Sequence, residues 1–366
     1  MSSRRVTCIQ RLASDALIGG LLLYAGPALS AQSVKAYVTN DVSNSVSVIN
    51  TTTNTVVATI PVGLNPKGIA VKPDGSRVYV ANYSSNTISV INPINNSVTS
   101  IGGFAGPVGV SFNRTGSRAY VTNNTNNTVS VIDTASNAVF ATTSVGAGPA
   151  GSVVTAAGTE QLYVANQGDG TVSIVDSATN LVTGTVAIGG SPITVINSPG
   201  DDIVVSETGG GISRYNRVSD TVTSIFTSID GADGLAYSQD GSKLLIAKLN
   251  GNSVGVVNSG GVETATITVG SNPAGLARLP SGSRLYVVNT GSNSVQVIDT
   301  VTNSLVGAPI PVGSSPSRIA IAATTDPDLN PVPALASWAS TLLGGLLAGV
   351  VVWQARRITR PVSKAL

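Results

Sequence analysis

The feature that most constrains this chain is a short apolar motif that returns at nearly constant spacing. It reads YVTN at Tyr37, YVAN at Tyr79, YVTN at Tyr120, YVAN at Tyr163 and YVVN at Tyr286, with VVSE from Val204 and LIAK from Leu245 in the two places between. The spacings are 42, 41, 43, 41, 41 and 41 residues, which makes seven copies. A period of this length means that one supersecondary unit is repeated and that neighbouring units bury each other's faces.

Each copy contains four short strand signals, clearest between residues 68 and 101. There GIAV, SRVYVAN, TISVIN and SVTSI are separated by KPDG, YSSN and PINN. β-Branched and aromatic residues fill the runs, while Gly, Pro, Asn and Asp fill the breaks. The second and third runs are apolar on both faces, so their sheet needs cover on both sides. Seven four-stranded antiparallel units of this kind predict a seven-bladed β-propeller, an all-β fold. The alternative, an open solenoid, would leave uncovered end sheets. The chain ends decide between them. PVGLNPKGIAV (61–71) returns as PVGSSPSRIAI (311–321) with no eighth YVTN after it, whereas the first YVTN has no strand ahead of it. Residues 318–323 are therefore expected to supply the inner strand of the blade formed by 36–40, 46–49 and 56–60, which closes the ring without a free edge.

Two segments outside the repeats read as targeting signals. Arg4, Arg5 and Arg11, then ALIGGLLLYAG, then the small residues of PALSAQ make residues 1–31 a secretory signal peptide, a substrate for signal peptidase. Cys8, the one cysteine, lies within it, so the exported chain would contain no thiol chemistry. After a linker at 324–332, residues 333–366 read as a membrane segment with a basic tail: Leu335 to Trp353 are uncharged, and Arg356, Arg357, Arg360 and Lys364 follow. This places one transmembrane helix in the inner membrane, with the propeller (32–323) outside the cytoplasm. Charge supports the division. Residues 1–30 carry a surplus of two positive charges and 333–366 a surplus of four, so with +2 overall the body is near −4 and offers no nucleic-acid footprint.

The pattern GIAVxPDGxxxYVANxxxNTxSVIN, with turns such as Asp299 to Asn303, resembles the YVTN family of β-propeller repeats over roughly residues 35–323. The tail resembles the IPTLxxWG C-terminal sorting signal of Gram-negative bacteria, with Val332, Pro333, Leu335 and Trp338 at matching positions and Ala334 and Ala339 in place of Thr and Gly. That resemblance implies cleavage near Pro333 by an exosortase-type enzyme, followed by display on the cell surface or release.

Catalytic motifs are scarce. The chain has no histidine, which removes the Ser-His-Asp triad, histidine bases and the commonest metal ligand. GxSxG, Walker A and CxxC motifs are absent. Asp326, Asp328 and Asn330 resemble the start of a calcium loop, but Pro331 takes the glycine position and Ser337 the closing glutamate position, so the segment reads as linker with no metal or other cofactor.

Site candidates are therefore departures from the repeat around the propeller mouth, where ligands commonly bind. The motif asparagines Asn40, Asn82, Asn123, Asn166 and Asn289 are expected at that rim, capping the following turn through backbone hydrogen bonds. Glu207 and Lys248 replace them in blades 5 and 6, and Asp233 opens the inner strand of blade 6 where the others have uncharged residues or Lys67. Glu207, Lys248 and Asp233 form one candidate patch, with drift of the degenerate blades and a simple Glu207–Lys248 surface pair as the plainer readings. Tyr83 and Phe104, in loops of blade 2 and expected on the same face as Lys67, form a second candidate as aromatic anchors. The expected function is a surface-displayed, non-enzymatic module that binds protein or glycan or builds an envelope layer. The alternatives are a lactonase- or lyase-like enzyme that uses acidic residues and a metal, and a periplasmic carrier or sensor subunit, for which no heme CxxCH motif is present.

Overall fold

The computed structural model describes residues 32–325 apart from 228 and 281, and within that span every regular element is a β-strand. The end segments expected to act as targeting signals, including Val332, Pro333, Leu335, Trp338, Arg356 and Arg357, lie outside the described residues. No helix among the described residues is long and apolar enough to cross a membrane.

Seven antiparallel sheets correspond one to one with the seven sequence repeats. In blade 2 the strands run from the axis outward as Pro66–Val71, Val78–Asn82, Thr87–Ile91 and Val98–Gly102. Burial follows that order. The second and third strands are almost wholly buried, as the two-sided apolar runs require, while the outer strand is largely exposed. Asparagine makes the tight connections possible. Asn44, Asn86, Asn127, Asn252 and Asn293 in the turn after the second strand, and Asn54, Asn96, Asn137, Asn180 and Asn303 in the turn after the third, all have positive φ near 50°. This is the left-handed region that Asn tolerates best after glycine.

Blade 1 takes strands from both ends of the chain. Pro316–Thr325 lies beside Gln32–Asn40, which pairs with Ser45–Asn50 and then Thr55–Pro61. The register runs from Gln32 opposite Thr325 to Asn40 opposite Pro316, so the closing strand is longer than residues 318–323 alone. Only blade 7 departs in its outer strand, which is split into Ser304–Leu305 and Ile310–Pro311 around Gly307 and Pro309. Proline has no N–H for the ladder there.

Hydrophobic side chains form seven clusters, one at each seam between adjacent blades, instead of one central core. Motif tyrosines occupy five of the seams: Tyr37, Tyr79, Tyr120, Tyr163 and Tyr286 are 0–2% exposed. Tyr79 packs edge-on against Phe112 with ring centroids 5.0 Å apart. Burial of that ring pushes its hydroxyl pKa up to about 12, so it stays neutral across the physiological range.

Every blade leans on two neighbours, so removing the closing strand should weaken the whole ring. Deletion of residues 316–325 is expected to abolish cooperative thermal unfolding monitored by circular dichroism. An unchanged midpoint would refute closure by this strand.

Candidate functional site at the channel mouth

The inner strands set the geometry of the axis. Their third residue is glycine in five blades: Gly68, Gly109, Gly151, Gly234 and Gly275. A Cβ on Gly68 would stand 2.2 Å from the Val108 carbonyl oxygen of the next blade, and one on Gly234 would stand 2.0 Å from that of Ala274. Neighbouring backbones thus approach so closely that a side chain has no room. Two blades break the rule, with Thr194 in blade 5 and Arg318 in blade 1.

Both exceptions end on one carboxylate. Arg318 makes a forked contact to Asp233 of blade 6, with Nη2 to Oδ1 at 2.8 Å and Nη1 to Oδ2 at 3.0 Å, and the Thr194 hydroxyl stands 3.4 Å from Oδ1. Blade 7 lies between blades 6 and 1, so the arginine spans one whole inner strand. Paired donors on a planar guanidinium match a carboxylate in geometry as well as charge. Burial opposes the charge on Arg318, but Asp233 first and Asp41 second hold its pKa above the ordinary arginine value. Asp41, just beyond the blade 1 motif, also bonds the Lys67 ammonium and accepts from the Asn65 amide at 2.9 Å. The result is an alternating row of charges at the mouth, Asp233, Arg318, Asp41 and Lys67, drawn from blades 6, 1 and 2. Side-chain exposures of 33% for Arg318 and 15% for Asp233 leave the pair half-covered but reachable from the channel.

Thr39 ties the row to the backbone. Its hydroxyl donates to the Lys67 carbonyl at 2.9 Å and accepts the Arg318 N–H at 3.1 Å. Thr122 and Ser206 repeat the first of these bonds to the Ala150 and Asp233 carbonyls. These hydroxyls act as pegs between adjacent inner strands.

Of the residues singled out in the sequence, Lys67 and Asp233 belong to this row, whereas Glu207 and Lys248 do not. Lys248 is 9% exposed and places its ammonium 2.7 and 2.8 Å from the two oxygens of Glu263, on the outer strand of its own blade. Its path is open because Gly255 stands where blades 1 to 4 have a serine; a Cβ there would be 2.8 Å from Lys248 Cε. Glu207 accepts the Ser213 hydroxyl at 2.7 Å and fills the space over Gly190. The expected Glu207–Lys248 surface pair is therefore absent, because each side chain has a partner inside its own blade.

The motif asparagines behave in the same inward manner. Asn40, Asn82, Asn123 and Asn166 are at most 1% exposed, and each donates from Nδ2 to two hydroxyls of the third strand, five and seven residues on. Asn289 donates to the Ser294 hydroxyl and the Gln296 side-chain amide oxygen in the same positions. They pin the hairpin through side chains and do not cap the turn through backbone bonds. Phe104 is 7% exposed within the seam of blades 2 and 3, so it is core and not a stacking anchor. Tyr83 is half-buried, with its ring over Gly106. Arg318, Asp41 and Thr194 were missed by the sequence reading. The signal was present, since Arg318 stands opposite Gly68 in the very alignment that predicts closure.

The chain matches no protein-family model and no curated protein sequence. Among solved structures it is similar to hydrazine synthase of Kuenenia stuttgartiensis, with a TM-score of 0.66 and 18% identity over 75% of this chain and 97% of that one. It is similar to a putative 6-phosphogluconolactonase of Bacteroides uniformis, with a TM-score of 0.65 and 17% identity over 79% and 100%. A third likeness is to virginiamycin B lyase of Staphylococcus aureus, with a TM-score of 0.61 and 17% identity over 71% and 92%. At these identities the likeness establishes the seven-bladed fold and nothing about chemistry.

Removing one partner of a half-covered ion pair strands the other. Arg318→Ala should cost about 1–3 kcal/mol in chemical denaturation, below the ~3–5 kcal/mol of a fully buried pair. The double change Asp233→Ala with Arg318→Gly, which restores the common repeat residues, should cost less than the single one. Equal or additive losses would show that the pair is not coupled.

A pH effect follows from the second pair. Burial raises the Glu263 pKa, but the bonds from Lys248 and Thr266 and the Lys248 charge outweigh it and hold the carboxyl below its ordinary 4.5. A depressed folded pKa contributes stability above the unfolded value and loses it as pH falls through the folded one. Acid unfolding of Lys248→Met should therefore depend less on pH below about 4.5 than that of the parent. An unchanged acid limb would remove the pair from the account.

Proposed function

We propose that the chain is an exported β-propeller of the YVTN repeat kind that acts as a non-enzymatic binding or structural module, with a protein or glycan ligand at the channel mouth. The observation that carries this reading is the convergence of Thr194 and Arg318 on Asp233. Two independent departures from an axial glycine meet at one carboxylate, which favours a site kept as a unit over drift at single positions. The row is charge-balanced and its acids are held by cationic partners, an arrangement suited to holding a polar ligand in register. Each carboxylate in it is paired with a cation, Asp233 with Arg318 and Asp41 with Lys67.

The names of similar structures suggest lactonase or lyase chemistry as the competing reading. The lyase from Staphylococcus aureus is catalytically inactive in its histidine-to-alanine variant, and this chain contains no histidine at all. Among the described residues, no group of three His, Cys, Asp or Glu side chains is arranged to hold a metal ion. The leader at 1–31 and the tail at 333–366 support a route of signal-peptidase cleavage, inner-membrane anchoring through 335–353, then processing by an exosortase-type enzyme and display at the surface of a Gram-negative cell.

Thermal unfolding of the full-length chain against divalent cations, glycans, peptides and lactones tests the reading. A ligand at 100 times its dissociation constant should add about 2.7 kcal/mol. The expected result is a shifted midpoint that disappears in the Asp233→Ala, Arg318→Gly variant, with no lactone or lyase turnover. Turnover that is lost on Asp233→Ala would replace the binding reading with an enzymatic one.

A further inference from the structure

The seam between blades 5 and 6 is built differently from the other six on the face opposite the mouth. Elsewhere a side chain from the second strand of one blade crosses to the next. Tyr79 donates to Asn137, Tyr286 donates to Asn54 at 2.6 Å, and Arg217 donates to the Tyr163 hydroxyl at 3.1 Å. Where the tyrosine bridge is not used, a cation two residues before the motif position does the same work. Lys35 reaches the Pro93 carbonyl at 3.4 Å, Arg118 that of Ser177, and Lys243 that of Thr300 at 2.9 Å.

Blade 5 has lost both devices. Val204 stands in the tyrosine position and Asp202 in the cation position, and Asp202 turns back to Arg214 of its own blade, with Nε at 2.8 Å and Nη2 at 2.6 Å. The turn that would receive a bridge is also altered: blade 6 has Gly261, φ 76°, where five other blades have Asn and blade 5 has Asp220. The seam contains no buried tyrosine, and the vacated space is a cleft of about 400 Å³. This lies within the ~300–1,000 Å³ usual for small-molecule sites.

The cleft has a definite chemistry. Tyr237 forms one wall, Ile225, Leu244 and Val257 line the interior, and Ser224 and Asn258 stand at the rim. Tyr237 is half-buried, and its hydroxyl has no hydrogen-bond partner among the described residues. Arg214 adds N–H donors, but its charge is matched by Asp202, whose side chain is 7% exposed, so no net charge is offered. An apolar wall with an aromatic ring, edged by neutral donors and acceptors, complements a ring that has one apolar face and a hydroxylated edge.

We propose that the blade 5–6 cleft is a binding site for a neutral sugar ring, separate from the mouth. The sugar's apolar face packs on Tyr237 while its hydroxyls exchange hydrogen bonds with Asn258, Ser224 and the Arg214 guanidinium. The lost bridge is then the means by which the fold makes room. Scarcity of charge across the cleft leaves an acidic ligand with nothing to select it.

Saturation-transfer NMR of the full-length chain with D-glucose, D-mannose and N-acetyl-D-glucosamine tests the site. The expected result is transfer to the ring protons of at least one sugar, reduced at least fivefold in Tyr237→Val, the residue found at this position in blades 2 and 4. The same reduction is expected in Val204→Tyr with Gly261→Asn, which rebuilds the bridge and refills the space. Asp233→Ala with Arg318→Gly at the mouth should leave the transfer intact, so failure of the mouth reading would not be mistaken for failure of this one. Thermal melts establish that each variant is folded. No transfer to any of the three sugars, or transfer undiminished in folded Tyr237→Val, would overturn the proposal.

Discussion

The closeness of the inner strands at the axis governs the rest of the molecule. Where a Cβ on Gly68 or Gly109 would meet a carbonyl oxygen of the next blade at 2.2 or 2.4 Å, the backbones touch, and glycine lets the wedges converge in five of the seven blades. Such a ring leaves few positions from which a side chain can enter the channel. Lys67 and Asp233 use the second position of the inner strand, and Arg318 and Thr194 take the glycine position itself. The charged row at the mouth is assembled where the axial rule is relaxed, and nearly all of it lies on the sector from blade 5 through blade 1 to blade 2.

Away from the axis, the seams take over. Each blade buries its second and third strands against both neighbours, so stability is distributed among seven similar contacts and one weak seam is tolerable. Blades 5 and 6 show how much replacement a seam absorbs. Lys248 is accommodated by Gly255 and neutralised by Glu263, and Glu207 takes over the hydroxyl contact of the motif asparagine. These changes are compensated within single blades and preserve the hairpin. The loss of the bridging tyrosine and cation at Val204 and Asp202 is not compensated across the seam, and space results.

The architecture was legible in the sequence because its causes are local and repeated. A 41–43-residue period, two-sided apolar runs and a split first repeat predict seven four-stranded blades and their closure, and the structure has them. The site was legible only in part. Lys67 and Asp233 stood out as charges in an uncharged position, but their partners Asp41 and Arg318 are 26 and 85 residues away, and proximity of that kind depends on the curvature of the ring. Exposure was misjudged as well. Lys248 and the motif asparagines turn inward onto partners in their own blades, whereas Phe104 looks like a rim residue along one blade, yet the seam with the adjacent blade buries it. Single-blade reasoning cannot supply that neighbour.

Hydrogen exchange of backbone amides in the full-length chain, followed by mass spectrometry, tests the closed ring most directly. If residues 317–325 are the inner strand of blade 1, they and residues 32–40 should exchange as slowly as the second strands of blades 2 to 4, with slow exchange continuous around the ring. Rapid exchange of residues 317–325 at the rate of the turns, with blades 2 to 7 still protected, would contradict closure and leave an open array in its place.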